Sequence, residues 1–178
     1  FLQLAADINM RVVNCTTAAQ YFHVLRRQAA LLRRDPLPLV IMTPKSLLRH
    51  PFVASTPREL AEGGWQKVIG DYEANARAGE IRRQIFCSGK VAVDLMTSPL
   101  RATHPSVAVC RVEQLYPIPV GEMLSEIERF PKLEEVVWVQ EEPENMGAWE
   151  FIRPSLEELV GRRRLAMVAR PRSSSPSE

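Results

Sequence analysis

The sequence predicts an α/β protein in which the end of a parallel-sheet domain is followed by a second, smaller α/β domain. Short apolar runs such as Val12-Val13, Leu39-Val40-Ile41-Met42 and Val136-Val137-Trp138-Val139 alternate with longer amphipathic segments, the pattern of strands connected through helices. Proline and glycine punctuation gathers between two such series, at Pro44, Pro51, Pro57 and Gly63-Gly64, and marks a crossing between packed units. The composition, 46% hydrophobic and 25% charged over 178 residues, supplies apolar side chains for one good core, or for one domain and a piece of another.

In the first series, residues 10–15 read as a strand ending at Cys15. Thr17 then stands three residues before Gln20, the spacing of a capping box in which each side chain satisfies the other's free backbone N–H. Tyr21, Phe22, Leu25, Ala29 and Leu32 recur at helical spacing and are expected to form the inward face. Asp35-Pro36 stops the helix, because proline disfavours helical geometry in the residue before it. Residues 39–42 make a second strand, so the unit is βαβ, with parallel strands and a right-handed crossover. A unit this short cannot bury both faces. An exposed strand edge and apolar face are therefore expected at Val12, Val13 and residues 39–42, with aggregation or dimerisation as the consequence.

Residues 43–79 read as irregular, with a short connecting strand within 65–69. The second series predicts strands over 81–87, 107–112, 135–140 and 165–169. Helices over 90–96, 120–130 and 148–160 alternate with them, and Met123, Leu124, Ile127 and Phe130 point inward. The expected domains are 1–55, a linker at 56–80, the second domain at 81–170, and a flexible Pro/Ser/Arg-rich tail at 171–178.

A net charge of +2 is too small to argue for nucleic acid, and the clusters Arg26-Arg27, Arg33-Arg34 and Arg162-Arg163-Arg164 come without an aromatic platform. No apolar run approaches the roughly 20 residues a membrane span needs. Neither nucleic acid nor membrane is an expected partner. The chain begins with Phe1 and no signal-peptide pattern follows, so a cut-out fragment is the simplest expectation. Cys15, Cys87 and Cys110 fit neither a zinc spacing nor a disulfide framework and read as buried reduced thiols.

Candidate chemistry concentrates in three places. Glu141 and Glu142 sit in the stretch Gln140 to Trp149, after an apolar strand and before a helix, where α/β folds build crevices. Adjacent residues of an extended chain point to opposite sides, so these carboxylates cannot share a proton, and an interface role is favoured over catalysis. Cys87-Ser88-Gly89-Lys90 lies between a strand and a helix but lacks the rest of a phosphate loop, and a tight turn is favoured over an anion site. Thr43 to Pro51 follows a parallel strand, and Lys45, Arg49 and His50 would give it a cationic edge suited to a carboxylate or phosphate. The competing reading is a junction loop whose charges pair internally. His23, inside the first helix, and His104, in a polar loop, read as packing or surface residues.

The segments from Thr16 to Gln28, from Thr43 to Pro51 and from Cys87 to Lys90, then Arg111-Val112-Glu113-Gln114-Leu115-Tyr116-Pro117-Ile118-Pro119 and the Gln140 to Trp149 decapeptide, together resemble one family. In this order they are similar to the C-terminal end of the thiamine-diphosphate-dependent decarboxylase (first) subunit of the 2-oxoglutarate dehydrogenase complex. The resemblance implies the close of a pyrimidine-binding domain followed by a transketolase C-terminal-like domain. It also implies oxidative decarboxylation of 2-oxoglutarate with succinyl transfer to a lipoyl group. Thiamine diphosphate and magnesium would be the cofactors. The partners would be the upstream domains, a second copy in a homodimer, and the lipoyl acyltransferase. The compartment would be a bacterial cytoplasm, favoured, or a mitochondrial matrix.

The family's Gly-Asp-Gly cofactor motif, its activating glutamate and its substrate histidines are absent here, so no catalytic residue carries over. Ala169 replaces the family's usual glycine before Arg170-Pro171, and Leu37 stands where a basic residue commonly precedes the second strand's Pro-Leu. On this resemblance the chain is expected to be structural and inert alone. One alternative is a regulatory nucleotide- or acyl-CoA-binding module using Lys45, Arg49 and the helix after Gly89. Others are relatives that act on 2-oxoadipate or carboligate 2-oxoglutarate.

Overall fold

The computed structural model describes residues 1–176. Its first sheet opens with β1 (Arg11–Asn14), which runs parallel to β2 (Leu39–Met42) with Arg11 opposite Leu39, and α1 (Ala18–Leu31) crosses between them. Thr17 caps α1 by accepting from Gln20 N at 3.2 Å. The reciprocal half of the expected capping box is not made. Gln20 instead donates to Gly64 O (3.1 Å) and accepts from Gln66 N (2.9 Å), which ties α1 to the connecting segment.

The inward face of α1 also differs from the one periodicity suggests. Ala19, Gln20, His23 and Val24 are buried, whereas Tyr21, Phe22, Leu25 and Leu32 are 41%, 42%, 45% and 58% exposed. Small residues at the sheet let the helix approach closely, and the two polar ones are satisfied there, His23 Nε2 donating to Glu59 O at 2.8 Å. The larger apolar stripe turns away.

A third strand, β6 (Gln114–Tyr116), pairs antiparallel with β1, setting Val12 opposite Tyr116 and Val13 opposite Gln114. This reverses the expectation of an exposed β1: Val12 and Val13 are 1% and 0% exposed because a strand from the second half closes that edge. The strand is three residues long and runs into Pro117, so alternation gives no clear signal for it.

The connecting segment carries more structure than its punctuation suggests. It contains α2 (Pro57–Glu62), β3 (Val68–Ile69) and α3 (Tyr72–Asn75). Here Thr56 and Glu59 form a complete capping box around Pro57.

The larger sheet adds β4 (Arg83–Cys87), β5 (Val107–Val112), β7 (Glu135–Pro143) and β8 (Arg164–Arg170) in the order β3-β5-β4-β7-β8, all parallel except β3 at the edge. Its helices are α4 (Lys90–Thr97), α5 (Val120–Glu128) and α6 (Trp149–Val160). Strand alternation divides the core between two faces. Phe86, Cys110, Val136 and Trp138 pack with Met123, Ile127, Ile152 and Leu156 of α5 and α6. Ile85, Cys87, Val109 and Val139 pack with Ala92 and Leu95 of α4. Within the expected inward set of α5, Leu124 is the correction: it is 36% exposed, while Met123, Ile127 and Phe130 are 0%.

Candidate functional site: the carboxyl edge where the sheets meet

β7 does not end at Gln140 but continues through Glu141 and Glu142 to Pro143, with a register shift against β8 between Val139 and Pro143. The irregularity re-aims the strand's last side chains, as bulges beside sites do. Gln140 organises the turn between β7 and α6. Its Oε1 accepts from Trp138 Nε1 and from Trp149 N, both at 3.0 Å, and its Nε2 donates to Pro143 O at 3.0 Å and Met146 O at 2.8 Å. That saturates a primary amide and supplies an N-terminal acceptor to α6. Gly147 closes the turn at φ +68°, where an added Cβ would meet the Gln140 amide at 3.0 Å. The decapeptide is thus a folded hub.

The two glutamates part company. Glu141 is exposed, and its backbone oxygen accepts from Arg170 Nε at 2.7 Å. Glu142 is half-buried and lines a cavity of ≈ 440 Å³ together with Asn14, Ser88, Met146 and Phe151. Over this edge the stretch at 171–176, expected as a flexible tail, is held by a two-way clamp. Asn145 Nδ2 donates to Ser173 O (2.9 Å), and Ser173 N donates to Asn145 Oδ1 (3.0 Å). Residues 177–178 of that tail lie outside the described residues.

At the Cys87-Ser88-Gly89-Lys90 turn, Gly89 has φ +62°, and an added Cβ would lie 2.3 Å from Asn14 Nδ2. The glycine admits the end of β1. Lys90 pairs with Asp94 of its own helix. Cys15, Cys87 and Cys110 are free and buried, and burial pushes all three thiols up, Cys87 to about 12, so they stay protonated near neutrality.

The loop after β2 forms 3-10 turns at Lys45–Arg49 and Pro51–Val53, with Leu47 buried and Lys45 and Arg49 exposed. Among the described residues neither cation has an ion-pair partner. His50 Nδ1 accepts from Phe52 N at 3.2 Å, so the imidazole caps the second turn.

The residue that sequence reading missed is Glu113. It is 0% exposed and accepts from Thr16 N at 2.8 Å and from the Thr16 hydroxyl. The same hydroxyl accepts from Arg111 Nη1 at 2.9 Å. Its backbone joins in as well, with Asn14 N donating to Glu113 O at 2.8 Å and Glu113 N to Lys67 O at 2.9 Å. Burial raises the carboxyl to about 7 against the opposing pull of Thr16 and Arg111. The available signal was a charged pair, Arg111 and Glu113, interrupting an apolar strand run.

A parallel sheet with helices on both faces and an antiparallel edge strand is consistent with a transketolase C-terminal-like α/β domain. The 2-oxoglutarate dehydrogenase C-terminal family matches residues 54–178, and the chain belongs to that family. Among similar proteins, the 2-oxoglutarate dehydrogenase E1 component of Bacillus mycoides strain KBAB4 is 48% identical over 183 aligned residues, covering 99% of this chain and 19% of the relative. The like-named component of Bacillus cereus strain G9842 is 47% identical with the same coverage. The chain thus spans 19% of the length of these relatives.

Proposed function

We propose that this chain is the carboxyl-terminal portion of a 2-oxoglutarate dehydrogenase first subunit, and that it packs and orients domains whose chemistry lies upstream in the polypeptide. The observation that carries this reading is the 48% identity sustained over 99% of the chain. In the proposed setting, 2-oxoglutarate is oxidatively decarboxylated and its succinyl fragment passes to a lipoyl group of a partner acyltransferase in a multienzyme complex. The bacterial relatives support a bacterial setting, with the cytoplasm as the proposed compartment. No helix is long and apolar enough to cross a membrane among the described residues.

Thiamine diphosphate supplies an electron sink when bound, but among the described residues no cluster of acidic, histidine or cysteine side chains suits its magnesium. Asp71 is the one aspartate that follows a glycine, and it is 2% exposed. Its carboxylate accepts from Arg101 Nη1 (2.9 Å), Val109 N (3.0 Å) and Ala74 N (3.2 Å), so it faces no ligand. Both cofactors belong upstream in this proposal. The role of the chain's own residues is to fix the carboxyl edge: Gln140 shapes the decapeptide, and Glu141 and Glu142 present its polar border to neighbouring domains or a second copy.

The full natural polypeptide tests the reading directly. It should turn over 2-oxoglutarate with an artificial electron acceptor only when thiamine diphosphate and magnesium are added, and should succinylate an isolated lipoyl domain. Preference for 2-oxoadipate, or carboligation without lipoyl transfer, would overturn it. A second reading draws support from the unpaired, exposed Lys45 and Arg49, which suit a regulatory nucleotide or acyl-CoA. A thermal shift with AMP or acetyl-CoA, lost on Lys45→Ala and Arg49→Ala, is its expected signature, and no shift sets it aside.

A further inference from the structure

We propose that Glu113, Thr16 and Arg111 form a proton-operated link through which the state of the sheet junction controls the Pro51–Val53 turn. The link begins where β1, β5 and β6 meet. Glu113 lies wholly inside, and both its oxygens are engaged by Thr16, the middle residue of the β1-to-α1 connection. Arg111, half-buried on β5, donates to the same Thr16 hydroxyl at 2.9 Å and holds its guanidinium over the Phe52 ring, 5.9 Å from the centroid. The series of contacts therefore runs from carboxyl to hydroxyl to guanidinium to the aromatic ring of the turn.

The direction of each bond makes the link sensitive to a proton. With Glu113 ionised, the Thr16 hydroxyl gives its hydrogen to the carboxylate and offers a lone pair to Arg111. Both carboxylate oxygens and the hydroxyl are then matched, and the buried negative charge balances the guanidinium. A proton added to Glu113 reverses the first bond. The carboxyl O–H now donates to the Thr16 oxygen, the hydroxyl hydrogen loses its acceptor, and Arg111 loses its counter-charge. Arg111 then gains by turning toward solvent, and Phe52 loses the cation that covers it.

The carboxyl lies where such a change is reachable, since burial places it at about 7. The charged and titratable groups facing the link are few. Cys15 and Cys87 stay neutral, Lys67 contributes its backbone oxygen while its ammonium pairs with Glu122 at 2.7 Å, and His50 lies at the far end on Phe52 N.

Hydrogen exchange on the full natural polypeptide, corrected for intrinsic rates, reads the link at Phe52. Protection there should fall roughly fivefold between about pH 8 and about pH 6, while β7 protection stays level. Glu113→Gln, which copies the protonated group, should show the low value at both pH values. Thr16→Val, which cuts the relay, should do the same. His50→Asn removes the neighbouring imidazole while keeping a side-chain acceptor for Phe52 N, and should leave the step in place. Persistence of the step in Glu113→Gln, its loss in His50→Asn alone, or a level native profile would each overturn the proposal. If the Glu113 and Thr16 variants fail to fold, carbon-13 titration of the native Glu113 carboxyl decides: ionisation must coincide with the step, and a carboxyl still ionised at about pH 5 rules the link out.

Discussion

The larger and smaller sheets share one parallel βαβ plan yet meet the demand for burial differently. The larger sheet is covered on both faces by its own helices, and Phe86, Met123, Ile127, Trp138, Ile152 and Leu156 are all 0% exposed. The smaller sheet has a core of Val13, Cys15 and Val24, with Leu39, Ile41 and Trp65 at its margin. Its other face is borrowed, because Val12 packs into the larger sheet's cluster through β6. Its helix leaves Tyr21, Phe22, Leu25 and Leu32 uncovered. A full complement of crossover helices makes a sheet self-sufficient. A βαβ unit without one is stabilised by whatever it docks against.

Removing the largest buried side chain would strain this comparison most. Trp138→Ala should destabilise by about 3–5 kcal/mol in denaturant titration, since it leaves a cavity between the sheet and the α5–α6 layer. Val24→Ala in the small cluster should cost only about 1–3 kcal/mol. Equal losses would mean the two sheets share one core.

The next effect concerns the ion pair that anchors α3 to the larger sheet. Arg101→Ala leaves the Asp71 carboxylate buried without its cation, and breaking such a pair typically costs about 3–5 kcal/mol at the upper end, less here because Arg101 keeps some solvent contact. Burial alone would raise the Asp71 carboxyl. Arg101 and the amides of Val109 and Ala74 outweigh it and hold the group below its usual value. The pair's contribution is therefore present above the unfolded carboxyl's pKa and is lost as pH falls through the lower folded value. Stability measured on descending pH should drop in the native chain and be flatter in Arg101→Ala. An unchanged acid limb would show that Asp71 has no part in it.

The smallest stability effect, and the sharpest contrast, belongs to α1. Phe22→Ser with Leu25→Ser should alter unfolding stability by no more than about 0.5 kcal/mol each, since neither side chain is buried. Self-association of the 178-residue chain, followed by sedimentation, should nonetheless decline. A large loss of stability would show that the stripe is covered after all.

Where residues carry a local signal, the fold was legible in advance. The strand at Val107–Val112 has the bounds its apolar run suggests, and the Lys90–Thr97 helix is one residue longer than read. Met123, Ile127 and Phe130 face inward because a helical period of apolar residues meets a sheet above it. The same period misleads in α1, where the stripe is equally regular but no layer covers it. Glu141 and Glu142 were visible as charges, yet Gln140, the hub of the decapeptide, could not be ranked above them. Its importance lies in four partners brought together by a turn.

The sequence alone determined the alternation of strands and helices and the family. Each of these depends on near neighbours in the chain or on ordered motifs. Only the tertiary structure decided that β6 closes β1 and that the large face of α1 points outward. It alone also decided that Glu113 is buried against a threonine 97 positions away. Such features arise from pairings between distant segments, where burial and charge are set by the partner surface, which neither segment encodes by itself.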